Sequence, residues 1–343
     1  MVKRIVSALA LLALSLTVCG AAAADSPDAE ARAKAADEAY SKAMAERRAV
    51  EPIEERLAIT KKFLDEYPES KHTARAISAV VYYQGTALGD MDAAITYAES
   101  IREKIADPAV ADALDKEMIV VYGDAGKMDK MLAIAAKMEA AGSLKFNDYW
   151  SIIESGVKAE DWTLVRSYCD KAEGMANAET FKSDWPDYEM TDEELEEAGS
   201  NRAGMVLVAD GWARANQGEV DEALADFEKA DGLLRRSMFD RPDYDLNIYW
   251  GKVDLMKGNY ESAIDRLGLE ALVMKNEDAL ADLEKAYAGL HGGTSDFGAF
   301  AAELHDKVAP TMQNFSAPDY EGQVREYAKL KGQVTLLAFW FPT

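Results

Sequence analysis

The chain has 343 residues, 49% of them apolar, and its 62 acidic and 38 basic side chains leave a formal charge of −24. So acidic a surface repels phosphate backbones and argues against nucleic-acid binding, while the apolar content argues against general disorder. The length suits two domains or one extended repeat array.

In chain order, residues 1–24 come first and read as a signal peptide: Lys3 and Arg4, an apolar run from Ile5 to Val18, and a small-residue cleavage site at Ala22-Ala23-Ala24. The apolar run is too short to span a bilayer well. Cleavage after Ala24 is expected, with lipid modification at Cys19 as the alternative; the bulky Val18 before that cysteine disfavours it. No other long apolar stretch follows, so no transmembrane segment is expected and the mature chain is placed in the periplasm or outside the cell. Without Cys19, Cys169 is the sole thiol and no internal disulfide can form.

From Ser26 to about His305 the pattern is that of amphipathic helices packed on helices, an all-α region. Ser26-Pro27 supplies an N-cap and a first-turn proline for a helix fading near Glu46, and a second helix runs from Ile53 to Tyr67, where Pro68 stops it. Short stretches then recur. Gly211 is a small residue that lets two helices approach, Gly218 makes a turn, and Ala223, Phe227 and Ala230 form an inner face. Gly251, Gly258, Tyr260, Ala263 and Leu267 repeat the arrangement, with Glu270 in place of the last small residue, a degraded copy. Weaker copies are Gly89-Asp90-Met91 before Ala94 and Tyr97, Gly126-Lys127-Met128 before Met131, Ala135 and Met138, and Glu160-Asp161-Trp162 before Val165, Cys169 and Ala172. The run resembles tetratricopeptide repeats, whose period is about 34 residues; Gly218 and Gly258 stand 40 apart, and the Arg241-Pro242 connector takes the excess. The resemblance implies a helical-hairpin solenoid over residues 25–308 with a groove for protein or peptide partners. Tyr82, Tyr83, Trp150 and Trp212 are candidates to line that groove. Helically spaced aromatics are more often core.

Between Gly174 and Asn201 the repetition breaks. Ser183 to Tyr188 reads as an irregular loop, and Thr191 with Glu194 forms a capping box for an acidic helix. Asp192, Glu193, Glu194, Glu196 and Glu197 splay around that helix, which fits a solvated run better than a cation site. No C-x-x-C, phosphate loop, G-x-S-x-G or H-E-x-x-H occurs in residues 25–330. Cys169 falls on an inner face, as a small buried hydrophobe. His72, His291 and His305 lie far apart, and His291 ends a helix before Gly292-Gly293. No catalytic, cofactor-binding or metal-binding residue, and no cofactor, is therefore assigned.

The last segment differs. A helix over Gly298–Val308 is ended by Ala309-Pro310; then come Pro318-Asp319 with Gly322, Leu330-Lys331-Gly332, and an apolar strand Val334–Trp340. This order resembles the opening of redoxin-type thioredoxin-like domains, and residues 309–343 would be the N-terminal fragment of one. Ala286 to Gly292 resembles the linker helix of relatives that join helical repeats to such a domain. The resemblance implies an envelope thiol–disulfide oxidoreductase or thiol peroxidase whose nucleophilic cysteine follows the strand at a helix N-terminus, with a second cysteine three positions on. Phe341-Pro342-Thr343 replaces the family's more usual side chains there, and the printed sequence ends before either cysteine. The expectation is a catalytic part missing from this chain, with a selenocysteine codon read as a stop as one explanation. Residues from about Gly332 would then pack poorly or lie against the helices, an aggregation-prone edge. The competing expectation is a non-catalytic adaptor for protein–protein interaction in the cell envelope.

Overall fold

The computed structural model describes residues 27–237, 240–309, 316–318 and 323–326. The signal segment 1–24 and the strand Val334–Trp340, with the packing expected of the tail after Gly332, lie outside the described residues. The fold is all-α: fifteen α-helices and one π-helical turn, with two three-residue strands, among the described residues. They divide into two compact units, one reaching Leu234 and the other starting at Arg235.

In the first unit, α1 (Pro27–Ala49) and α2 (Ile53–Glu66) form a hairpin, and α1 runs three residues past the expected Glu46. Three hairpins follow: α3 (Thr73–Val80) with its π-helical continuation Val81–Ala87 against α4 (Met91–Arg102); α5 (Pro108–Asp124) against α6 (Met128–Ala141); and α7 (Phe146–Lys158) against α8 (Trp162–Glu173). A short helix α9 (Ala178–Asp184) precedes the hairpin of α10 (Asp192–Asn216) and α11 (Val220–Asp231). First helices also pack on one another from hairpin to hairpin, α3 on α5 and α5 on α7. The second unit contains α12 (Leu246–Lys257) paired with α13 (Tyr260–Leu272), then α14 (Glu277–His291) and α15 (Phe297–Val308). Strand β1 (Ser316–Pro318) pairs antiparallel with β2 (Val324–Glu326).

The hairpins repeat at the level of single residues. Gly89, Gly126, Glu160, Gly218 and Gly258 all take left-handed backbone conformations, with φ of 76°, 67°, 55°, 91° and 75°. After the last four, the next amide closes the same six-residue ring: Lys127 to Tyr122 O, Asp161 to Gly156 O, Glu219 to Arg214 O and Asn259 to Asp254 O, at 2.8 to 2.9 Å. That bond caps a first-helix carbonyl that would otherwise be orphaned. In the α3–α4 hairpin the π-helical turn adds a residue, and Asp90 N reaches one carbonyl further back, Gln84 O.

Five, nine and twelve residues after each left-handed turn stand the buried inner-face positions. They are Ala94, Ala98 and Ile101; Met131, Ala135 and Met138; Val165, Cys169 and Ala172; Ala223, Phe227 and Ala230; and Ala263, Leu267 and Glu270. Tyr97, expected inside, is only half-buried, and Ala98 takes the inner position. Small residues on the first helix make room for the second: a Cβ on Gly211 would come within 2.8 Å of Phe227, and one on Gly251 within 2.6 Å of Leu267. Glu270 is not a degraded position. It is 1% exposed and accepts from Arg241 Nε at 2.7 and 2.8 Å, so it fixes the connector before α12.

Candidate interaction face

The reactive side chains singled out in the sequence have structural surroundings. Cys169 is buried on α8, and burial pushes its thiol up, with the nearby Asp210 carboxylate adding to the effect. His72 donates or accepts at Nε2 with Asp37 Oδ1 at 3.0 Å and stacks on Tyr40 with ring centroids 4.0 Å apart, tying α1 to the start of α3. His291 packs on Tyr287 at 4.3 Å, just before the left-handed Gly292. His305 sits beside Asp306. Among the described residues no three His, Cys, Asp or Glu side chains gather closely enough to hold a metal ion.

The hairpin-to-hairpin joints are polar and tightly paired. Asp115 on α5 accepts from Arg102 Nε at 2.6 Å and Lys137 Nζ at 2.8 Å, which joins α4, α5 and α6. Burial pushes the Asp115 carboxyl up, but the two cations outweigh it and leave it below its usual range. Arg166 on α8 reaches Glu219 at 2.7 Å, and Arg214 on α10 reaches Asp210 at 2.6 Å and Asp226 at 3.0 Å. Burial raises the Asp226 carboxyl even so. Alternating pairs of this kind hold helices together.

What remains open is the face of the first helices. Ser78 on α3 contacts Glu117 on α5, and Lys158 Nζ on α7 donates to Asp124 Oδ1 at 2.7 Å. On α3 the π-helical turn carries Tyr82 beyond Ser78, and Glu117, Val120 and Asp124 are one turn apart on α5. Glu154 precedes Lys158 by one turn on α7. These contacts tie α3, α5 and α7 together through Ser78, Glu117, Asp124 and Lys158, with Tyr82, Val120 and Glu154 one turn from them along the same helices. Tyr82 is 59% exposed there and Val120 is exposed too, while burial raises the Glu117 carboxyl despite its bond to Ser78. Of the four aromatics proposed for a groove, only Tyr82 is openly presented. Tyr83 is buried, with Arg47 over its ring; Trp150 stacks on Phe146, and Trp212 meets Trp162 edge-on at 6.1 Å. Tyr82 and Tyr83 are adjacent in the π-helical turn and meet edge-on at 5.4 Å, one exposed and the other buried; no feature of residue spacing announces that turn.

Residues α9 and the start of α10 form an insertion in the series. The left-handed turns at Gly89, Gly126, Glu160, Gly218, Gly258 and Gly292, each joining a helix to the next one, lie 37, 34, 58, 40 and 34 residues apart, and the long step contains α9. Arg202 Nη2 on α10 donates to Asp184 Oδ2 at 2.9 Å at the end of α9, and its guanidinium lies between the rings of Phe146 and Phe181, 4.4 and 4.5 Å from their centroids. Lys145 adds a second cation to Asp184. Gly199 lets the start of α9 approach: a Cβ there would be 2.5 Å from Ala178 N. The capping box holds as expected, with Glu194 N donating to Thr191 Oγ1 and Thr191 N to Glu194 Oε2.

No protein-family model and no curated protein matches the chain. Among solved structures, it is similar to the crystal structure of BtubC (BKLC) from P. vanneervenii, at 15% identity and a TM-score of 0.41, covering 84% of this chain and 96% of that one.

Proposed function

We propose that residues 27–309 act as a tetratricopeptide-like module that binds protein or peptide partners in the cell envelope or outside the cell. The observation that carries this reading is the shared register of five hairpins: one left-handed turn each, with buried residues at the same three offsets after it. Stacked units of that kind bury continuous cores and leave a row of first helices for ligands. The exposed Tyr82 and Val120, among Glu117, Asp124 and Glu154, supply apolar anchors with a charged rim. The test is a peptide array drawn from secreted and envelope proteins, probed with the purified chain. Replacing both anchors, Tyr82→Ala with Val120→Lys, should weaken captured peptides by ~10-fold or more, whereas Lys42→Glu on α1 should leave them bound. Equal binding by both variants would remove the reading.

A second reading joins this module to thiol–disulfide chemistry. It is favoured by the antiparallel pair β1–β2, in which Pro318 faces Val324 across the segment that contains Asp319 and Gly322. A short hairpin at this point suits the opening of a redoxin-type domain. The nucleophile would lie beyond Thr343, and Cys169, buried in the repeats, takes no part. Reading the codons after Thr343 tests it: a cysteine, or a UGA followed three codons later by a cysteine, supports the redox reading, and any other continuation removes it.

A further inference from the structure

We infer that the insertion between the α7–α8 and α10–α11 hairpins is a docking element for arginine-rich segments of a partner protein, separate from the first-helix face. The long step of 58 residues between turns is filled by a helix that adds little core, yet it is fixed with unusual care. The buried Arg202 is committed to Asp184 and to two aromatic rings. Anchoring at that point sets the position of the residues immediately after it. There Tyr188 N donates to Trp185 O at 3.2 Å, closing a turn with Pro186 in its second position. The two ends of such a turn lie within about 7 Å of each other. Trp185 and Tyr188 are therefore rooted side by side, and they are 49% and 71% exposed.

The charge of the flanking sequence points to the occupant. Asp187, Glu189, Asp192, Glu193, Glu196 and Glu197 are all exposed on the turn and the first turns of α10, and Lys182 is the one exposed cation between residues 179 and 197. A guanidinium stacks on an indole or phenol ring while its N–H groups reach carboxylates, so exposed aromatics within an acidic stretch of chain suit arginine. An uncharged apolar partner would leave the acids desolvated, and a second copy of a chain at −24 would be repelled.

The test is fluorescence anisotropy of a labelled peptide of alternating arginine and glycine, titrated with the full chain at low and moderate salt. Binding should weaken with salt, and Trp185→Ala with Tyr188→Ala should weaken it by ~10-fold or more, while Trp185→Phe should retain it. Glu193→Gln with Glu197→Gln should weaken it, whereas the same charge change made at the exposed Glu103 and Glu228 should not. Three outcomes would overturn the proposal. One is unchanged affinity in the double aromatic variant. Another is equal loss from both neutralised pairs, which would mean attraction by net charge alone. The third is a dimer dissolved by the aromatic substitutions, which would seat a second copy on the turn. None of these touches Tyr82 or Val120, so the first-helix reading stands or falls separately.

Discussion

At single positions, the turn residues and the buried thiol of Cys169 give the sharpest tests. Glu160 occupies the left-handed conformation that glycine takes in the other four turns, at φ 55°. Its Cβ costs about 1 kcal/mol there, partly offset by the chain entropy that glycine would lose. Glu160→Gly should therefore stabilise the fold by ~0.5 kcal/mol in urea melts. Cys169 is expected to resist thiol reagents at pH 8 in the folded chain and to react once urea is added, because burial disfavours its thiolate. Cys169→Ser should destabilise by about 1–3 kcal/mol, the cost of a hydroxyl without a partner in an apolar site.

At the scale of helices, close approach and buried pairing decide what each hairpin tolerates. Gly251→Ala would set a methyl against Leu267 and should cost about 1–3 kcal/mol of overpacking, read as a lowered midpoint in denaturant. Glu270→Ala would leave Arg241 without its main partner in a mostly buried site and should cost about 3 kcal/mol, whereas Glu270→Gln should lose less. Much of this level was legible beforehand. Gly211, Gly218, Phe227 and Ala230 form a local grammar, because a left-handed turn admits few residues and a tight crossing admits only small ones. Other features left no local mark. Whether Glu270 replaces a packing residue or fixes a connector depends on Arg241, 29 residues away. The π-helical turn at Val81–Ala87 and the aromatic clamp on Arg202 depend on partners brought together only by the fold. Tyr82 and Tyr83, both candidates for a groove, meet edge-on at 5.4 Å, yet the first is open to solvent and the second is buried.

For the molecule as a whole, pH tests the balance of its carboxylates. Asp226 and Glu117 are raised by burial, so their folded forms bind protons more tightly than the unfolded chain, and their contribution grows as pH falls from neutral. Glu99 is held low by the Lys130 and Tyr122 bonds. Asp115 and Asp282 are raised by burial, but their cations outweigh it and leave them low as well; what these three contribute is lost as pH falls through their folded values. Acidification also relieves the repulsion of a chain at −24. The thermal midpoint should rise from pH 7 to a maximum near about pH 5 and fall below about pH 4; a midpoint that declines steadily from pH 7 would show that the raised carboxylates carry no weight. The ion pairs between successive hairpins run in steps of similar length: Lys127 to Asp92, Lys130 to Glu99, Lys158 to Asp124 and Lys171 to Glu139 are 35, 31, 34 and 32 residues apart. Each rung needs only the hairpin made just before it. A chain emerging from its N-terminus can thus lock one hairpin onto the last as it appears, with no wait for a distant strand.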